Sequence, residues 1–157
     1  MGFVVWGVVV ALYLWPALRR LPRADALRPL LVLHSFRFIG LAFVVPGVVS
    51  PYLPATFARP AAYGDLIAAV LALLALAALR TRFGGVMVWA FTLWGSADLI
   101  NAFYQGNQSG LQAGQLGSAY FIVTFLVPLL LITHGLVLRL LLRSGDAIGA
   151  RESRLAA

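Results

Sequence analysis

RRLPRADALR at Arg19–Arg28 runs directly into PLLVLHSFRFIGLAFVVPGVVS at Pro29–Ser50. Four arginines crowd the first stretch. The second has one histidine and one arginine as its only basic groups and no acid. An apolar run of this size has the length of a membrane crossing, which takes ~20 residues at ~1.5 Å each. The same alternation recurs on either side. Residues of about 2–18, 61–79, 85–105 and 117–138 are apolar, making five such segments with 29–50.

The remaining arginines fix an orientation. Arg80 and Arg82 follow the third segment, and Arg139, Arg143, Arg151 and Arg154 follow the fifth. Connections after the even segments carry only Arg59. Basic residues collect on the cytoplasmic side of membrane proteins. The pattern therefore predicts an all-α integral membrane protein with five transmembrane helices, an outside N-terminus and a cytoplasmic C-terminus. Residues 1–143 form the bundle as one domain, and 144–157 form a cytoplasmic tail.

Composition agrees. The hydrophobic fraction is 62%, against roughly 45–50% in soluble domains. The lipid bilayer, expected here to be a bacterial inner (plasma) membrane, must cover the surplus. The net charge of +7 does not imply nucleic acid, because the arginines flank spans instead of forming a patch on one face. The chain has no cysteine, which excludes disulfides, thiolate metal sites and cysteine nucleophiles. Pro29 suits the first turn of the second span. Pro46 and Pro128 are expected to kink the second and fifth, since neither can donate to the preceding turn.

Four ionisable side chains fall inside the spans: His34, Arg37, Asp98 and His134. Each costs about 2.5–3.5 kcal/mol to insert, so each needs a partner or a purpose. His34 and His134 both lie five residues from the inner end of their spans, roughly 8 Å deep. Arg37 is one turn beyond His34 on the same face. Asp98 is deeper, and a long arginine side chain can bridge the gap, so Arg37 and Asp98 are expected to pair. Trp94, Asp98, Asn101 and Gln105 share one face of the fourth span, and Tyr120, Thr124 and His134 share one face of the fifth. Together these residues are expected to line a polar cavity. Asp65 reads as an N-terminal carboxylate of the third span, favoured by the helix dipole.

Function is less legible than architecture. The polar cluster points first to a membrane module that binds a small ligand or cofactor, the ligand being apolar or amphipathic. The two histidines, matched in depth on different helices, would suit axial ligation of haem b. A proton- or ion-coupled transporter or channel subunit is the second reading, with Asp98 near the midplane. A non-catalytic accessory subunit of a larger membrane complex is the third, and a homo-oligomer is compatible with all of them. No Ser-His-Asp triad, phosphate-binding glycine loop or HExxH motif is present, so whether the chain is an enzyme stays open.

Overall fold

The computed structural model describes the backbone of residues 1–155 and the side chains of 1–143, and the described residues form helices without strands. The helices are α1 (Gly2–Leu18), α2 (Arg23–Val44), α3 (Ala55–Ala78), α4 (Gly84–Gln108) and α5 (Gly117–Arg143). The last continues as helix to Leu155, through the start of the segment read from sequence as a tail. Its residues 156–157 lie outside the described residues.

Four helices, α2 to α5, are long and apolar enough to cross a membrane. The fifth apolar segment, α1, is helical but shorter. Helices α2, α3, α4 and α5 pack in a closed ring, and α1 lies against α5. Large apolar side chains such as Leu12, Phe38, Leu73, Leu93, Ile100 and Phe121 point away from the bundle. In water such a belt would aggregate, whereas hydrocarbon solvates it.

Lipid also removes the usual drive for helices to associate, so close packing and polar contacts must hold them. On α3, Ala68, Ala72 and Ala75 are fully buried, and this stripe of methyl groups lets neighbours approach. At one end of α1, Trp15 lies under two guanidinium groups of α5, with Arg139 4.1 Å and Arg143 5.6 Å from its ring centroid. Trp6 donates its indole N–H to the carbonyl of Phe125 at 3.0 Å.

Prolines set several boundaries, and not where spacing alone put them. Helix α2 starts at Arg23, with Pro22 as its N-cap, so Pro29 is interior instead of first-turn. Pro46 does not kink α2, which has already ended at Val44, with Val45 extended. A residue before proline is pushed out of the helical region. Helix α3 begins at Ala55, after Pro54, and carries Pro60 inside it. Pro16 and Pro128 each follow a single π turn, Val10–Leu14 and Ile122–Leu126. In each case the residue before the proline bonds five residues back, Trp15 to Val10 and Val127 to Ile122. A missing proline N–H is absorbed there by local unwinding.

The second half of α2 matters most for the site. From Phe36 to Val44 the helix tightens to 3-10 winding, a long run for a form usually three to four residues long. In that winding, residues three apart eclipse each other. Its buried residues are Arg37, Gly40 and Phe43, spaced by three, so one straight line of side chains faces the interior. At the loop end, Gly117 has φ +52, a left-handed conformation that glycine adopts without strain. There Ser118 N–H donates to the Val48 carbonyl at 3.0 Å, joining loop 45–54 to the start of α5.

Candidate functional site

Two apolar clusters fill the bundle, one towards the start of α2 around Leu27, Leu31, Ala72, Phe91 and Val137, the other around Phe43, Phe57, Ala62 and Ala119. Between them lies a charged layer drawn from all four helices of the ring. Arg37 from α2 is its centre and is 1% exposed. Its Nε donates to Oδ1 of Asp65 at 2.7 Å, and its Nη2 to Oδ2 of Asp98 at 2.6 Å. Its Nη1 donates to the Gly95 carbonyl at 3.2 Å and to Nε2 of His134 at 3.3 Å. One guanidinium therefore uses all three nitrogens on α3, α4 and α5.

Glycines make the layer fit. A methyl group at Gly40 would overlap the Asp65 carboxylate, and one at Gly64 would overlap that of Asp98. At Gly95 it would sit 2.6 Å from His134 Nε2 and 2.9 Å from Arg37 Nη1. Three helices thus present bare backbone where the neighbouring helix sends in a charged or imidazole side chain.

The two histidines have different partners. Arginine can only donate, so Nε2 of His134 accepts from Arg37 and its proton resides on Nδ1. Thr133 Oγ1 stands 2.8 Å from the Leu129 carbonyl, 3.1 Å from the Leu130 carbonyl and 3.0 Å from Nε2 of His34. When its one proton goes to a helix carbonyl, the hydroxyl accepts from His34, which then carries its own proton on Nε2. Among the described residues, neither Nδ1 atom has a hydrogen-bond partner, and both are buried. The two rings lie 4.2 Å apart between centroids. Phe91 stacks on His134 at 5.0 Å and meets His34 edge-on at 5.0 Å.

This contact corrects the expectation of haem ligated by His34 and His134. Ligand nitrogens on opposite faces of a metal stand ~4 Å apart, with ~2 Å bonds, and the rings extend outward from there. Imidazoles in direct contact leave no slot for a macrocycle, and both Nε2 atoms are already engaged. Among the described residues, no group of three or more His, Asp or Glu is placed to hold a metal ion.

Two cavities border the layer. The first, of about 280 Å³, is lined by Phe43, Phe57, Asp65, Asp98, Phe103 and Asn107 among others. It lies towards the end of the bundle bearing loops 45–54 and 109–116. The second, of about 370 Å³, lies between α3 and α4 and is lined by Tyr63, Gly64, Trp94, Asp98 and Asn101, among others. Asp98 belongs to both.

Of the residues singled out in the sequence, His34, Arg37, Asp98 and His134 meet in the layer. Trp94 and Asn101 join Asp98 at the second cavity instead, and Trp94 donates to the Gly64 carbonyl at 3.3 Å. Gln105, Tyr120 and Thr124 are not brought to the layer. Gln105 is half-buried and its carbonyl accepts from Ser109; Tyr120 is exposed; the Thr124 hydroxyl bonds back to the Tyr120 carbonyl. Gln105 lies two turns beyond Asp98 on α4; for Tyr120 and Thr124, the π turn at Ile122–Leu126 rotates the first part of α5 relative to His134. Asp65 is the residue sequence reading misassigned. It lies ten residues into α3, far from the N-terminal turn, and holds Arg37. Thr133, partner of His34, was missed. Its signal was adjacency to His134 on a helix with few other hydroxyls.

Residues 1–142 match the family described as "Domain of unknown function (DUF8737)". Every residue of the charged layer falls within the matched part. No curated protein and no solved structure matches the chain.

Proposed function

We propose that this chain, which belongs to the DUF8737 family, is a polytopic membrane protein that binds a small ligand at its charged layer. One observation carries the proposal. Asp65 and Asp98, held by Arg37, line an apolar cavity of about 280 Å³ walled by Phe43, Phe57 and Phe103. Small-molecule sites combine mostly apolar walls with a few convergent polar groups, at volumes of ~300–1,000 Å³. A purely structural ion network would be better served by complete packing, since buried charges stabilise poorly by themselves.

In this proposal α1 is a fifth span, the N-terminus faces outward and the arginine-rich ends of α1, α3 and α5 face the cytoplasm of a bacterial inner membrane. The cavity then opens towards the outer half of the bilayer. Native mass spectrometry of gently purified protein tests it. A bound small molecule should accompany the wild type and be reduced in Asp98→Asn, with circular dichroism unchanged. Preparations that carry no small molecule, and take up none from a chemically diverse panel, would overturn it.

A second reading rests on the position of Asp98 at both cavities. A carboxylate inside the bundle that lines two cavities is the kind of group a proton- or ion-coupled transporter or channel subunit uses. Its signature is pH-dependent flux in liposomes that disappears in Asp98→Asn.

A further inference from the structure

We infer that the ligand of the first cavity is a small organic cation, an ammonium group on a compact apolar or aromatic body. The inference deepens the ligand-binding proposal and rests on it. It starts from charge. Arg37 brings one positive charge to the layer, and Asp65 and Asp98 bring two negative ones when ionised. Arg37 is sealed from the cavity, with none of its side-chain surface exposed, while both carboxylates line the cavity. Among the described residues, no arginine and no histidine lines either cavity. A molecule entering the first cavity therefore meets the two acid side chains and not the guanidinium that holds them.

The hydrogen bonds agree. Each carboxylate commits one oxygen to Arg37, Oδ1 of Asp65 and Oδ2 of Asp98. Among the described residues, neither remaining oxygen has a hydrogen-bond donor. Asp98, with 9% of its side chain exposed, thus keeps an unpaired acceptor, packed against Gly64, in a side chain that lines both cavities inside an apolar bundle. Such an acceptor is costly unless a donor or a positive charge arrives.

The walls select the kind of cation. A calcium ion takes six to eight oxygen ligands, and a magnesium ion held by one or two carboxylates keeps several waters; such a hydrated ion gains nothing from walls of Phe43, Phe57 and Phe103. An ammonium group needs far fewer oxygens, and its alkyl body gains from apolar surface. Phe43 and Phe57 meet edge to face at 5.6 Å between centroids, and Phe103 is a further wall. Aromatic faces attract ammonium groups within ~6 Å. The cavity volume of about 280 Å³ limits the ligand to a small amine.

Calorimetry on the full chain in detergent at pH 7 decides the matter, using phenethylamine, which is protonated there, and its neutral isostere 2-phenylethanol. The amine should bind at least tenfold tighter than the alcohol. Asp98→Asn should abolish that preference, and Ala102→Phe, which fills the cavity, should abolish binding of both. Equal binding of amine and alcohol would overturn the cation while leaving the ligand-binding proposal standing. Binding of neither would remove both. Should Asp98→Asn fail to fold, the amine–alcohol comparison and Ala102→Phe decide alone. If phosphatidylethanolamine in nanodiscs competes with the amine, the natural ammonium is a lipid headgroup; if it does not, it is a free amine.

Discussion

Replacing Arg37 with methionine tests the architecture most directly. Methionine keeps an unbranched apolar stem of comparable length and removes the guanidinium. Two carboxylates then remain in a bundle interior, each having lost its only charged partner, at 2.7 and 2.6 Å. Removing one partner of a buried ion pair costs about 3–5 kcal/mol. Because one guanidinium serves two acids that also repel each other, the upper part of that range, about 4–5 kcal/mol, is expected. That is a loss of roughly a thousandfold in the folded-to-unfolded ratio. Asp98→Asn is the contrast. It leaves Arg37 and Asp65 as a balanced pair and retains a carbonyl oxygen for Nη2, so about 1–2 kcal/mol is expected. The combined replacement Arg37→Met, Asp65→Leu, Asp98→Leu should recover most of the single-variant loss, because apolar packing often matches a buried ionic network. Equilibrium unfolding in mixed micelles, followed by fluorescence of the four tryptophans, measures all three. The reasoning fails if Arg37→Met stays within about 1 kcal/mol of wild type, or if Asp98→Asn costs more than Arg37→Met.

Other consequences are equally accessible. Gly95→Ala should destabilise by about 1–3 kcal/mol, because its methyl group must displace His134 and Arg37. Gly85→Ala, with open space around its new methyl group, should be neutral or stabilising by ~0.5–1 kcal/mol in the same unfolding assay. Nitrogen-15 NMR of labelled histidines should find His134 protonated on Nδ1, because Nε2 accepts from Arg37; an Nε2 proton on His134 would contradict that bond. The absence of cysteine allows topology mapping with single introduced thiols. Ser109→Cys should react with an impermeant maleimide in intact cells and Thr81→Cys only after lysis, and the reverse pattern would invert the proposed orientation.

The all-helical chain with several helices of spanning length was readable because a bilayer constrains sequence so strongly. Apolar runs must have spanning length, and arginines must gather beside them. The convergence of His34, Arg37, Asp98 and His134 was readable for a related reason. A charge inside hydrocarbon has few allowed partners, and depth along a helix can be counted. What escaped was phase and boundary. Pro60 looked like the end of a loop, which placed Asp65 in a first turn and gave it a dipole role. The helix in fact starts at Ala55 and tolerates Pro60, so Asp65 sits level with Arg37. The face Tyr120–Thr124–His134 assumed uninterrupted α winding, and the turn ahead of Pro128 breaks it. Nor could spacing reveal that Gly40, Gly64 and Gly95 are the recesses of the site, because a recess is defined by the helix opposite.

The tightened stretch Phe36–Val44 has a mechanical consequence. It advances ~2.0 Å and 120° per residue, against ~1.5 Å and 100° for ordinary winding. Relaxing nine residues would shorten α2 by about 4–5 Å and turn its far end through roughly half a revolution. Such a screw would swing Phe43 out of the cavity wall while drawing loop 45–54 towards the bundle, with Arg37 as its fixed bearing. Spin labels at Leu30 and Val48 would register the stroke as a shorter separation.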